Sequence, residues 1–94
     1  MDEKKYIRAL EQVLLKRYPQ NYFCVGRYQE SAVCIEKNDT GWIVYVGERN
    51  QKQFEVDCVT ILEACLELFK KLVSDRNELA VIENEFMKLL NDVA

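Results

Sequence analysis

The sequence predicts an α+β fold: an N-terminal helix, a four-stranded antiparallel meander and one or two C-terminal helices. Three observations carry this prediction. Apolar residues recur at three- and four-residue steps near both ends of the chain, which is the period of an amphipathic helix. Between them, residues 22–56 are rich in β-branched and aromatic side chains and are cut by turn residues at near-regular spacing. With 94 residues, 3 Gly and 1 Pro there is little room for linkers, so residues 1–94 are expected to form one small domain. A helix–sheet–helix body is expected over 1–73, and 74–94 form a further helix or continue the one before it.

The first helix begins where Asp2 can cap it, and Tyr6, Ile7, Leu10, Val13, Leu14 and Tyr18 make its apolar stripe. Pro19 ends it, because a proline pushes the residue before it out of the α region.

The segments YFCVGRY, AVCIEK, WIVYVGE and KQFEV read as strands, separated by Gln29-Glu30-Ser31, Asn38-Asp39-Thr40-Gly41 and Arg49-Asn50-Gln51. Hairpins through these loops set Phe23 opposite Ile35, Val25 opposite Val33, Ile35 opposite Val44, Val33 opposite Val46, and Val46 opposite Phe54. One face then collects Phe23, Val25, Val33, Ile35, Trp42, Val44, Val46, Phe54 and Val56. A one-residue slip would turn a whole strand over, so the agreement of three hairpins marks this as the core face. The opposite face carries Tyr22, Cys24, Gly26, Ala32, Cys34, Glu36, Ile43, Tyr45, Gly47, Gln53 and Glu55, with Cys34 between Cys24 and Tyr45.

In the last third, Thr60 and Glu63 fit a capping box, and Leu62, Cys65, Leu66, Phe69, Leu72 and Val73 form a buried stripe. Leu79, Ile82, Phe86, Leu89, Leu90 and Val93 repeat the pattern beyond Ser74 and Asp75. A heptad-like alternation interrupted in apolar character only by Asp75 also permits a single helix from 61 to 93. Such a helix would overhang the sheet, so a turn near Asp75 is preferred.

Composition narrows the chemistry. The net charge is −3, with 13 basic residues scattered among 16 acidic ones. Nucleic acid selects clustered Lys and Arg, so it is not the expected partner, whereas an acidic surface favours a basic one. No run approaches the roughly 20 apolar residues of a membrane span, and MDEKKYIRALEQ lacks a signal-peptide core, so the expected location is the cytoplasm, away from membrane.

Histidine is absent, which removes Ser–His and Cys–His pairs and imidazole metal ligands. The four cysteines have no CxxC spacing and sit among apolar neighbours, where a thiol packs as a small hydrophobe. Glu48 and Glu55 are conceivable as an acid–base pair or Mg²⁺ ligands, but no phosphate-cradling loop or nucleophile elbow accompanies them. Neither enzyme activity, a cofactor nor a metal is expected.

The stretch WIVYVGERNQKQF followed by ILEACLELFKKL resembles a family of small bacterial immunity proteins encoded beside polymorphic toxins. The resemblance runs from Tyr6 to Val73 and has no catalytic signature. It implies a cytoplasmic protein that binds and neutralises a cognate protein toxin without catalysis. The candidate contact residues come from the surface argument. They are Tyr22, Tyr28, Glu36, Ile43 and Tyr45 on or beside the second sheet face, with Glu48, Arg49 and Glu55 at the hairpin tip and rim. The same composition suits a second small core under a helix, so an exposed face and a covered one both remain open. The alternative function is a non-catalytic homo-oligomeric structural or regulatory module assembled through the C-terminal helices, and the expected state is monomer or homodimer.

Overall fold

A computed structural model of the chain describes residues 3–92. Asp2 and Val93, placed by sequence in helix stripes or caps, lie outside the described residues. Helix α1 (Glu3–Leu15) and a 3-10 turn (Gln20–Tyr22) lead into strands β1 (Phe23–Val25), β2 (Val33–Asn38), β3 (Gly41–Glu48) and β4 (Gln51–Cys58). Helices α2 (Ile61–Leu72) and α3 (Arg76–Asp92) complete the chain. Among the described residues no helix is long and apolar enough to cross a membrane.

The four strands lie in the order β1-β2-β3-β4, but the sheet is mixed. β1 pairs parallel to β2, with Phe23 beside Val33, Cys24 beside Cys34 and Val25 beside Ile35. The expected hairpin around residues 28–30 therefore does not form, and the purely antiparallel meander is corrected to an antiparallel β2–β3–β4 unit with a parallel edge. The chain leaves β1 at Gly26 (φ 88°) and turns back into β2 after Ser31 (φ 61°). A parallel pair normally needs a crossover of a dozen residues or more. Here β1 covers only about 10 Å, so the loop of residues 26–32 can return along it. Hairpin and parallel registers both keep odd residues beside odd ones, so the division of the sheet into two faces survives the error.

A second correction lies at the β3–β4 hairpin. The turn has two residues, Arg49 and Asn50, rather than three, and both have left-handed backbone (φ 54° and 62°). Two such residues in sequence make the tight turn whose twist matches that of the flanking strands. The shorter turn sets Val46 opposite Gln53 instead of Phe54, while further along Val44 still faces Val56. The mismatch is absorbed by a bulge at Phe54 and Glu55, where β4 carries one residue more than β3. Phe54, expected in the core, is turned out to 73% exposure.

The other core-face residues are where their parity puts them. Phe23, Val33, Ile35, Trp42 and Val44 are buried, and Val25, Val46 and Val56 pack against the same cluster. α2 covers this face, burying Ile61, Ala64, Cys65, Leu68 and Phe69. α1 and α3 pack on α2 and on each other, α1 through Leu10, Val13 and Leu14 and α3 through Ile82, Phe86 and Leu90. The Phe69 and Phe86 rings meet edge to face at 5.1 Å. Glu85 of α3 ties down the end of α1 through Lys16 at 2.8 Å and Arg17 at 3.0 Å.

The caps explain why there are two C-terminal helices. Thr60 Oγ1 accepts from the Glu63 N–H at 3.1 Å, and Glu63 reaches back to the N–H of Val59 at 3.2 Å. α2 ends at Val73, whose backbone is extended and whose N–H closes on the Phe69 carbonyl at 2.8 Å. Asp75 then accepts from the N–H groups of Asn77 (2.8 Å) and Glu78 (3.3 Å), which opens α3. The one residue that breaks the apolar alternation does so because it is the cap.

Candidate functional site

The second face of the sheet is covered, though not by a helix. The loop of residues 26–32, needed to bring the chain from β1 to the parallel β2, lies across it. Cys24, Ala32, Cys34 and Tyr45 form a small buried cluster there, with Tyr28 and Ile43 packed against it. The Tyr28 ring stacks on Tyr45 with centroids 6.1 Å apart and planes 17° from parallel. The backbone of Gln29 comes so close to Gly47 that a Cβ at Gly47 would sit 2.2 Å from the Gln29 carbonyl oxygen. Gly47 is therefore required by this close approach rather than by its own backbone angles.

The loop is held at its ends by backbone bonds, from the Gly26 N–H to the Ile35 carbonyl at 2.8 Å and from the Gly47 N–H to the Ala32 carbonyl at 2.9 Å, and at its middle by side chains. Gln29 Nε2 donates to the Asn21 carbonyl at 3.0 Å. Glu30 reaches the β3–β4 hairpin, accepting from the N–H of Arg49 at 2.6 Å and of Asn50 at 3.0 Å. The Tyr28 hydroxyl donates to the same carboxylate at 2.6 Å. The bond from Tyr28, followed by the two backbone donors, holds the Glu30 carboxyl below its ordinary range. The left-handed turn at Arg49-Asn50 thus has its two N–H groups bound by a side chain from another part of the chain.

Beneath the loop, the Tyr45 hydroxyl donates to Glu36 in a short contact. Glu36 also pairs with Lys52 at 3.7 Å, and the Lys52 ammonium lies 5.0 Å over the Tyr45 ring. Burial, then the bond to Glu36, pushes the Tyr45 phenol far above its usual range, so it stays a neutral donor. The arrangement satisfies a buried hydroxyl within a packed cluster.

The eight residues singled out from sequence fall into separate places. Tyr28, Glu36, Ile43 and Tyr45 do share the second face. Tyr45, however, is fully buried, and Tyr28 and Ile43 are half-buried over it. Tyr45 is thus not available as an exposed side chain: its own loop occupies the surface. Tyr22 lies apart on the 3-10 turn, tilted against Tyr18 at 5.9 Å. Glu48 and Arg49 are exposed at the hairpin tip, and Glu55 is exposed at the bulge. Sequence reasoning missed Glu30, the residue that braces the tip, and Phe54. The signal for Phe54 was present in the turn: a two-residue Arg-Asn loop is incompatible in parity with Val56 facing Val44 unless a bulge intervenes.

A cleft of about 480 Å³ opens on the other edge, between the end of α1 and β1, lined by Glu11, Leu15, Phe23, Cys24 and Arg27 among others. All four cysteines are buried free thiols. Burial raises the thiols of Cys34 and Cys58, and pushes Cys65 up to about 12, which suits packing and not nucleophilic chemistry. Among the described residues no group of three or more acidic or thiol side chains is placed to hold a metal ion. Comparison of the chain with protein-family models, with curated proteins and with solved structures finds no significant match in any of the three.

Proposed function

We propose that this chain is a non-catalytic binding protein of the immunity type, which neutralises a cognate bacterial toxin by protein–protein contact in the cytoplasm. The observation that carries the reading is the braced hairpin tip. Glu48 and Arg49 are exposed, yet the backbone that presents them is clamped by Glu30, from the loop that leads into the neighbouring strand β2. A surface held rigid before binding loses less entropy on association, which is what a tight protein contact needs. The clamped segment is also the one through which the sequence resembles the immunity family. In WIVYVGER, Trp42 and Val44 serve the core, Tyr45 and Gly47 seat the loop, and Glu48 and Arg49 remain for a partner.

Self-association through the C-terminal helices has less to draw on. Ile82, Phe86 and Leu90 are buried against α1 and α2, and Leu79 and Leu89 pack against the same cluster. The large apolar side chains that α3 leaves exposed are Val81 and Met87. Co-expression with the polypeptide encoded by the adjacent reading frame tests the main reading. The expected result is a purified one-to-one complex and growth where that polypeptide alone is toxic. A harmless neighbour that does not co-purify would overturn it.

A further inference from the structure

The two edges of the sheet are built differently. β1 is three residues long, whereas β4 runs for eight residues with no neighbouring strand on its outer side. Proteins ordinarily blunt such an edge with charges, a short strand or a bulge. β4 has charges and a bulge, yet the residue placed at the bulge is Phe54, at φ 55°. That left-handed position is the one glycine takes in bulges of this kind, and a bulky side chain there is disfavoured. The ring is 73% exposed, belongs to neither apolar cluster and stacks on no other ring among the described residues. Backbone and side chain are both unfavourable for the isolated chain. About 16 Å further along the strand direction, Val59 is 75% exposed.

The charge around these two apolar groups is mostly acidic, with Lys71 of α2 as the opposing cation near Cys58. Glu55 and Asp57 are exposed on β4. Glu63 is bonded to the N–H of Val59, and the turn carrying Asp39 abuts Val59 through Gly41. Lys52, the one cation within β4, is drawn back over the second face onto Glu36 and Tyr45. Arg49 stands apart at the hairpin tip.

We infer that the β4 edge is the docking strip for a basic partner protein, with Phe54 as its aromatic anchor. Glu55 and Asp57 meet lysine or arginine side chains beside the pocket that receives the ring, and Glu63 does so at the Val59 end of the strip. This rests on the protein-binding reading above, extends the contact surface from the hairpin tip along β4, and names the partner's chemistry. Exposed aromatic anchors within a charged rim are where binding energy concentrates in protein interfaces, and complementary charge steers the encounter.

Two measurements test it. Thermal unfolding of Phe54→Gly needs no partner: the midpoint is expected at or above that of the wild type. A fall of more than about 5 °C would mean that Phe54 serves the fold, and would overturn the proposal. The purified product of the adjacent reading frame is then titrated with the wild type and variants at low and high salt. Phe54→Gly is expected to weaken binding at least ~10-fold. The Glu55→Lys/Asp57→Lys double variant is expected to weaken it similarly and to flatten the salt dependence, while Lys88→Ala on α3 leaves it unchanged. Wild-type affinity in both β4 variants overturns the strip but leaves the binding reading standing. A wild type that does not bind overturns the reading itself, and the named partner with it. A wild-type dimer that Phe54→Gly dissolves makes the occupant a second copy and overturns the basic partner.

Discussion

The two faces of the sheet are covered by different means. The inner face lies under α2, backed by α1 and α3, and its cluster is continuous from Leu10 through Val44 to Phe86. The outer face lies under the loop of residues 26–32, and its cluster is four buried residues with Tyr28 and Ile43 at the margin. The inner cluster is mostly aliphatic and phenyl side chains, for which shape decides the fit. The outer one includes a tyrosine hydroxyl, so it needs Glu36 as acceptor, and its cover needs Glu30 and Gln29 to hold it down. A helix brings its own backbone hydrogen bonds to the surface it covers, whereas a loop must find them in what it touches. The outer face is therefore the place where single polar contacts control structure.

That contrast can be broken most severely from the inside. Phe86→Ala removes a fully buried ring that packs on Phe69, and is expected to cost about 4 kcal/mol, read as a lower denaturant midpoint. Tyr45→Ala is expected to cost about 3 kcal/mol, because the side chain is as fully buried as the helix residues. A negligible stability change would mean that the loop does not seal the face. Gly47→Ala drives a methyl into the Gln29 carbonyl and is expected to cost about 2 kcal/mol. Its signature is local: amide exchange accelerates in residues 26–32 while the protection of α2 is kept.

The smallest effect is electrostatic. The Glu30 carboxyl titrates lower in the folded chain than its ordinary 4.5, because Tyr28 and the Arg49 and Asn50 N–H groups favour the anion. Glu85 does the same through Lys16 and Arg17. Folding then releases protons, so this stabilisation is present above pH 4.5 and is lost as pH falls through the lowered folded values. Exchange of the Arg49 and Asn50 amides is expected to quicken in that acid range relative to the core. Glu30→Gln should remove this acid response at the hairpin while leaving the α1–α3 contact unaffected. An unchanged profile would show that Glu30 is not the brace.

The inner face was legible because its signal is local and repeated. Three- and four-residue steps gave α1 and α2, period-two alternation gave the strands, and Thr60, Glu63 and Asp75 marked the helix starts. Even the β2–β3 register, with Val33 opposite Val46 and Ile35 opposite Val44, follows from the expected loop at 38–41, although Asn38 and Gly41 themselves pair and leave a two-residue turn. The candidate contact residues were less legible. The hydrophobicity of Tyr45 is the same whether a partner, a helix or a loop covers it. Nothing in residues 26–32 announces that they cross the sheet instead of turning tightly.

Composition and periodicity were enough to settle which side chains of β1, β2 and β3 share a face, because parity along a strand is an intrinsic property of extended backbone and holds for parallel and antiparallel neighbours alike. In β4 the bulge broke that parity at Gln53 and Phe54. Whether β1 runs with or against β2 and what lies over Tyr45 depend on the path of distant chain segments, whereas Phe54 is turned out by its own hairpin, through a two-residue turn and a bulge. The direction of β1 and the cover over Tyr45 rest on contacts that no local pattern encodes: the Gly26 N–H on the Ile35 carbonyl, the Gln29 backbone against Gly47, and Glu30 on the Arg49 and Asn50 N–H groups about twenty residues on.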